Sequence, residues 1–354
     1  MKKSLLLILI VFLFSTIVTG CASSETSSKN GEKLYIGLAI RGLTNPYYVQ
    51  LIEGAEMFID TLPEGSAELQ ILSSDGSDEK QINEIKAFLA KAGKNGILYV
   101  DPQNAPNAAV IAELAEKAGV YWSTTWSMAD GVTPKDYKYY VFHQTSDDEN
   151  SGYLVAKELI EDFKTPGKGN ILAVQGSLAN SASINRTNGL KKALREYPNV
   201  KLLDMKPADW NAQKALTLTE SWLSTYKDID AIWVANDEMA LAVRQALKRA
   251  GRNDVLVATI DGIPDAIKAV QNGELTATVN TNPWAQGGYA LAILHAAYTG
   301  KLDTSKMTDE QMMFKTKGIL VTSDTIKDYV ENYVDQKPKM DFSNIFAPVA
   351  GPIN

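Results

Sequence analysis

Residues 34–62 read LYIGLAIRGLTNPYYVQLIEGAEMFIDTL. The first seven form a short apolar run, the pattern of a strand buried on both faces. Asn45-Pro46 then offers a helix N-cap with proline at the first helical position, and apolar residues recur at helical spacing over 47–62. A buried strand followed by a helix is half of a βαβ unit, and the rest of the chain repeats it. Strands are expected at 69–72, 96–100 and 120–126, with helices at 79–92 and 105–118 between them. The rhythm restarts with strands at 170–174, 200–205, 231–234 and 255–260, and helices at 184–196, 212–224, 238–250 and 264–271. Strand starts recur at roughly the ~30 residues of a βαβ unit. Two such series predict an α/β fold of two doubly wound parallel-sheet lobes.

Between the series lie 139–145 (YYVFHQT) and a helix at 148–163. After the second series come an apolar run at 277–281, a helix at 284–299 and a run at 318–322. The expected division is 34–145 plus 282–316 for the N-terminal lobe and 146–281 plus 317–354 for the C-terminal lobe and tail. The tail from Lys337 is irregular and contains proline, and a surface course is expected for it.

Composition narrows the function. The 354 residues are 45% hydrophobic and 22% charged, which excludes a disordered chain and a multi-span membrane protein. A net charge of −7 with no evident basic face argues against nucleic acid as a partner. One cysteine and two histidines, His143 and His295, leave no disulfide within the chain and argue against a zinc or Cys/His catalytic centre. No cofactor, metal or catalytic residue is expected, and a monomer is.

The lone cysteine has another use. Met1-Lys2-Lys3 is a short positive start, residues 4–18 are almost wholly apolar, and small residues follow. That is the layout of a signal peptide over 1–20 and is too short for a comfortable membrane span. Val18-Thr19-Gly20-Cys21 resembles a lipobox, which implies a bacterial lipoprotein with Cys21 lipidated. Residues 22–33 (ASSETSSKNGEK) read as a flexible tether after that anchor. The expected location is extracytoplasmic, held to the membrane by lipid alone.

In doubly wound sheets ligands sit at the carboxyl ends of strands, beside helix N-termini. Those positions hold Asn45, Tyr47 and Tyr48; Trp126 and Ser127; Gln175-Gly176-Ser177; Asp209-Trp210; Asn236-Asp237; Asp261-Gly262; and Asn280-Thr281, with Arg186 further on. Singly, each has a plain structural reading. Asn45 and Asn236 are good N-caps, Asp261-Gly262 is a plausible turn, and Arg186 on a helix could be an ordinary ion pair. Trp222 and Trp233 sit at core positions. Together the set combines planar hydrogen-bonding groups with aromatic faces, which is carbohydrate chemistry: rings stack on C–H surfaces, and Arg and carboxylates take pairs of hydroxyls.

The chain resembles type I periplasmic substrate-binding proteins, most of all the ribose-binding branch, over about residues 34–323. The carriers are Asn45-Pro46-Tyr47-Tyr48, Arg186-Thr187-Asn188-Gly189-Leu190, Pro207-Ala208-Asp209-Trp210, Ala235-Asn236-Asp237-Glu238-Met239-Ala240-Leu241 and Asp261-Gly262-Ile263-Pro264. The resemblance implies two lobes joined by three hinge crossings, near Thr145, Thr281 and 315–317. It also implies that a sugar is captured in the cleft and passed to an ABC transporter permease. By that likeness Asn45, Tyr47 and Tyr48 contact the sugar from the first lobe, and Arg186, Trp210, Asn236, Asp261 and Thr281 from the second lobe and hinge. One departure stands out. The branch carries an Asp-Arg pair at the end of the fourth strand, where this chain has Trp126 and Ser127. A less charged, more aromatic first wall is therefore expected, admitting a pentose, a hexose or a sugar alcohol.

Two other classes fit parts of the sequence. A sensor presenting sugar to a membrane receptor kinase would use the same body. An enzyme on this scaffold finds little support, because no G-x-G-x-x-G follows the first strand and residues 176–181 lack the lysine and spacing of a P-loop.

Overall fold

The computed structural model describes residues 33–316, 318–335 and 338–353. The signal sequence, Cys21 and nearly all of the tether lie outside them.

The first series runs β1 (Leu34–Ile40), α1 (Pro46–Ile59), β2 (Ala67–Ser73), α2 (Asp78–Ala92), β3 (Gly96–Val100), α3 (Asn107–Ala118), β4 (Tyr121–Thr125) and β5 (Tyr140–Ser146). The second runs α4 (Asp148–Glu161), β6 (Gly169–Gln175), α5 (Ser181–Glu196), β7 (Val200–Pro207), α6 (Ala212–Thr225), β8 (Ala231–Val234), α7 (Asp237–Arg249), β9 (Leu256–Asp261), α8 (Pro264–Gln271) and β10 (Ala277–Asn280). Then come α9 (Pro283–Tyr298), α10 (Asp309–Met312), β11 (Met313–Thr316), β12 (Ile319–Thr322), α11 (Ile326–Tyr333) and β13 (Val349–Pro352).

Two sheets result. One has the order β13-β11-β5-β4-β3-β1-β2, the other β12-β10-β9-β8-β6-β7. All pairs are parallel except β11 with β13 and β10 with β12. All five residues of β3 and all four of β8 are buried, as parallel strands covered on both faces require. Trp233 is wholly buried in β8, and Trp222 is buried in α6 with its indole N–H donating to Asp204.

The chain passes between the lobes three times: from β5 into α4, from β10 into α9, and from β11 to β12. The tail keeps the expected surface course, with none of its described residues buried, but it joins the first lobe and not the second, and it is not wholly irregular. After α11 it returns to the first lobe, where β13 adds an antiparallel edge to β11, and Phe342 packs edge-on against Phe58 of α1. The physical reason is an open edge: β11 pairs with β5 on one side, and β13 satisfies the backbone groups on the other.

Helix α4, which starts the second lobe, packs against α5 at backbone contact distance. A Cβ on Gly152 would lie 2.1 Å from the carbonyl oxygen of Arg186. This close approach sets Arg186 beside the start of α4 and begins the construction of the cleft.

Candidate functional site

The carboxyl ends of β1, β3, β4, β6, β8 and β9 converge on one cavity of about 410 Å³ between the lobes. Its walls include Arg41, Tyr48, Asp101 and Trp126 from the first lobe, and Arg186, Trp210, Asn236 and Asp261 from the second.

The second wall is built on Arg186, which is 3% exposed. Its Nε donates to Asp148 Oδ1 at 2.9 Å, and its Nη1 donates to Asp261 Oδ1 at 2.9 Å and to the Ala235 carbonyl at 2.7 Å. The guanidinium lies 5.1 Å from the Trp126 ring centre and 5.7 Å from that of Trp210, so indoles from both lobes bracket it. Burial pushes the Asp261 carboxyl up to about 7, and the Arg186 charge offsets part of that rise. Trp210 reaches its place through left-handed backbone at Asp209 (φ 55°) and Trp210 (φ 60°). Its ring then lies flush on Gly176, where a Cβ would stand 2.3 Å from the indole.

The first wall corrects the expectation of a weakly charged surface. Arg41, just after β1, makes a two-point ion pair with Asp101, just after β3, with both N–O distances 3.1 Å. Tyr48 donates to Asp101 Oδ2 at 2.5 Å, and Arg41 also donates to Ser127 Oγ at 3.0 Å. Burial raises the Asp101 carboxyl against the pull of Arg41. An acid–cation pair is thus supplied by two adjacent strand ends instead of one dipeptide. Neither Arg41 nor Asp101 was among the candidate residues.

Of those candidates, Asn45, Tyr47, Tyr48, Trp126, Arg186, Trp210, Asn236 and Asp261 all line the cavity. Capping and lining coexist at the asparagines: Asn45 Oδ1 accepts from Tyr47 N and Asn236 Oδ1 from Met239 N. Trp126 holds left-handed backbone (φ 59°), and its indole N–H donates to Tyr47 Oη at 2.7 Å.

Two candidates do not line the cavity. Thr281 is fully buried behind Asp261, with its backbone N–H donating to the Asp261 carbonyl at 3.1 Å. Ser127 stands at the seam between lobes, where its Oγ also accepts from Asn180 Nδ2 across the cleft at 2.5 Å. Ser181 of α5 donates to the Met128 carbonyl beside it. These bonds join the lobes, so the structure is a closed form. Asn180, which caps α5 and lines the cavity, is another residue that sequence reading missed.

His143, near the first crossing, is buried and shares a hydrogen bond with Thr124; burial lowers it to about 3. It is not among the residues that line the cavity. No helix among the described residues is long and apolar enough to cross a membrane.

Comparison with known proteins agrees with this architecture. The periplasmic binding protein domain matches residues 36–302. The ribose import binding protein RbsB of Salmonella typhimurium is 29% identical over 304 residues, covering 85% of this chain and 98% of its own length. The D-allose-binding periplasmic protein of Escherichia coli is 30% identical over 82% of this chain and 92% of its own. Among solved structures, a twin-arginine translocation pathway signal protein from Burkholderia phytofirmans superposes with a TM-score of 0.87 at 33% identity, covering 91% of this chain and 99% of that one. With a matched domain spanning most of the chain and two parallel-sheet lobes around a cleft, the chain belongs to the periplasmic binding protein family, in its type I form.

Proposed function

We propose that this protein captures a sugar or sugar alcohol between its lobes and delivers it to an ABC transporter permease. The observation that carries the reading is the wall chemistry. Two Arg–carboxylate systems, the half-buried Arg41–Asp101 and the buried Arg186–Asp148–Asp261, face each other across a cavity that also presents the Trp126 and Trp210 rings. Planar donors and acceptors with aromatic faces suit a ring or chain bearing adjacent hydroxyls. The relatives named for ribose and allose support the same class.

Asp261, Arg186, Asn236 and Asn45 are the proposed hydroxyl partners in this reading, to which Arg41 and Asp101 are added, with Trp210 and Trp126 as stacking faces. Tyr47 and Tyr48 shape the wall with their rings, since both hydroxyls are committed within the protein. No step changes a covalent bond: a ligand touching both lobes favours the closed form, and closure is what the permease reads. The working location is outside the cytoplasm, with Cys21 as the lipid anchor.

A thermal-shift screen of pentoses, hexoses and polyols, with amino acids and nucleosides as controls, tests this. A sugar or polyol at ~1,000 times its dissociation constant should add about 4 kcal/mol of stability. It should also reduce the radius of gyration in solution scattering. A response confined to the amino acids or nucleosides overturns the reading.

A further inference from the structure

The lobes are joined at three crossings, and a single side-chain amide bonds directly at two of them and reaches the third through one hydroxyl. Gln286, in the first turn of α9, is 1% exposed. Its Nε2 donates to the Thr281 carbonyl at 2.7 Å, at the crossing from β10. The same nitrogen lies 3.4 Å from Thr316 Oγ1, at the end of β11, beside the third crossing. Thr316 Oγ1 in turn donates to the Thr145 carbonyl at 3.4 Å, at the first crossing. Gln144 of the same strand donates to the Gln286 backbone carbonyl at 2.9 Å.

The other end of the amide faces the cavity wall. Gln286 Oε1 accepts from the Tyr47 hydroxyl, and that hydroxyl accepts from the Trp126 indole N–H. A continuous buried chain therefore runs from Trp126, which a ligand would press against, through Tyr47 and Gln286 to all three crossings. Each link uses a defined donor and acceptor: the Trp126 indole N–H donates to the Tyr47 hydroxyl, which donates to Gln286 Oε1.

We infer that Gln286 is a positioning residue that couples occupation of the cleft to the setting of the hinge. The inference rests on the ligand-capture reading above, but its first test does not need a ligand. Gln286→Met keeps length and apolar bulk while deleting both polar ends. Tyr47→Phe keeps the ring and Gln286 while removing only the hydroxyl that joins them; it serves if the Met variant folds poorly. Amide hydrogen exchange is measured on ligand-free protein over 144–148, 280–286 and 313–316. Both variants should raise exchange in all three segments together. Loosening confined to the start of α9 for Gln286→Met, with no change for Tyr47→Phe, overturns the inference and reduces Gln286 to a local packing residue.

The second readout uses D-ribose and D-allose as probes. In the wild type, whichever binds should slow exchange at all three crossings. In Tyr47→Phe that protection should shrink and affinity should fall about 5-fold or more, the low end of usual site-to-site coupling. Equal protection in wild type and variant overturns the coupling. If neither probe binds the wild type while the ligand-free exchange pattern appears as expected, the choice of sugar is at fault and the hinge assignment stands.

Discussion

The two walls of the cleft hold comparable chemistry by different means. In the second lobe one arginine serves two carboxylates: Arg186 is 3% exposed and reaches Asp148 on α4 and Asp261 at the end of β9. In the first lobe one arginine serves one carboxylate, Asp101, which keeps Tyr48 as a second donor, and Arg41 keeps Ser127 and the Pro102 carbonyl. The second wall concentrates its charge balance in one residue, while the first spreads it. The difference makes the second wall the more brittle of the two.

The largest effect should follow from breaking the concentrated wall. Arg186→Met leaves Asp148 and Asp261 buried without their cation, and removing one partner of a buried ion pair costs about 3–5 kcal/mol. Arg41→Met leaves Asp101 with its Tyr48 bond, and a loss of roughly 1–3 kcal/mol is expected. Urea unfolding of ligand-free protein measures both. Equal losses, or a larger one for Arg41, would break the contrast between the walls.

The same contrast explains what the sequence made legible. Asp209-Trp210, Asn236-Asp237 and Asp261-Gly262 each stand in a short motif at a strand end and Arg186 in a short motif within α5, and each of these groups supplies residues to the cavity. Arg41 and Asp101 are 60 residues apart, and no local pattern links them. They meet because β1 and β3 are neighbours in the sheet, with Ala39 opposite Val100 in register. Each then sits just past its strand, at the same edge. Strand order is a long-range property, so the signal was present only once β1 was placed between β2 and β3. The strand in the tail, and the lobe it joins, were hidden for a related reason. Residues 349–352 (VAGP) carry glycine and proline, poor strand formers, and the strand exists because β11 leaves an edge to pair. Strands buried on both faces, such as β3 and β8, needed no such context, and their bounds were readable from apolar runs alone.

A smaller effect sharpens the comparison at the seam between the walls. Ser127 and Thr281 were both expected to touch ligand, and neither lines the cavity. Ser127 Oγ receives Arg41 from its own lobe and Asn180 from the other. Thr281 Oγ1 donates to the Asp261 carbonyl at 3.4 Å, inside the hinge. Ser127→Ala should weaken binding of the sugar found in the screen by roughly 2- to 10-fold, the worth of a typical hydrogen bond, by favouring the open form. The change should appear in the dissociation rate. Thr281→Ser, which keeps the hydroxyl, should leave affinity within about 2-fold. Calorimetry with stopped-flow rates separates the two; a larger loss at Thr281 would return that residue to the binding surface.

The smallest effect sets the cleft against the outer surface, and it turns on sign. Asp261 has a folded-state value raised by burial, to about 7, so the folded protein holds its proton more tightly than the unfolded chain does. The stability that proton supplies is complete below the ordinary carboxylate range and is lost as pH rises towards and through 7. Glu68 is the reverse case. Hydrogen bonds from Lys33 and Lys91 lower it to about 2, so its contribution is present above its ordinary value of 4.5 and is lost as pH falls from there towards 2. Glu68 is half-exposed at the surface, and its ion pairs with Lys33 and Lys91 are open to screening by salt. The melting temperature of ligand-free protein should therefore fall between pH 5 and 8 in a way that persists at about 1 M salt, where surface charges are screened. Asp261→Asn should reduce that slope, and the remainder belongs to Asp237, which burial raises to about 6. Glu68→Gln should remove a slight decline below pH 4.5 that is seen only at low salt. A cleft slope that vanished in salt would mean that Asp261 is exposed to solvent in the ligand-free protein, and that the second wall opens more widely than the closed form shows.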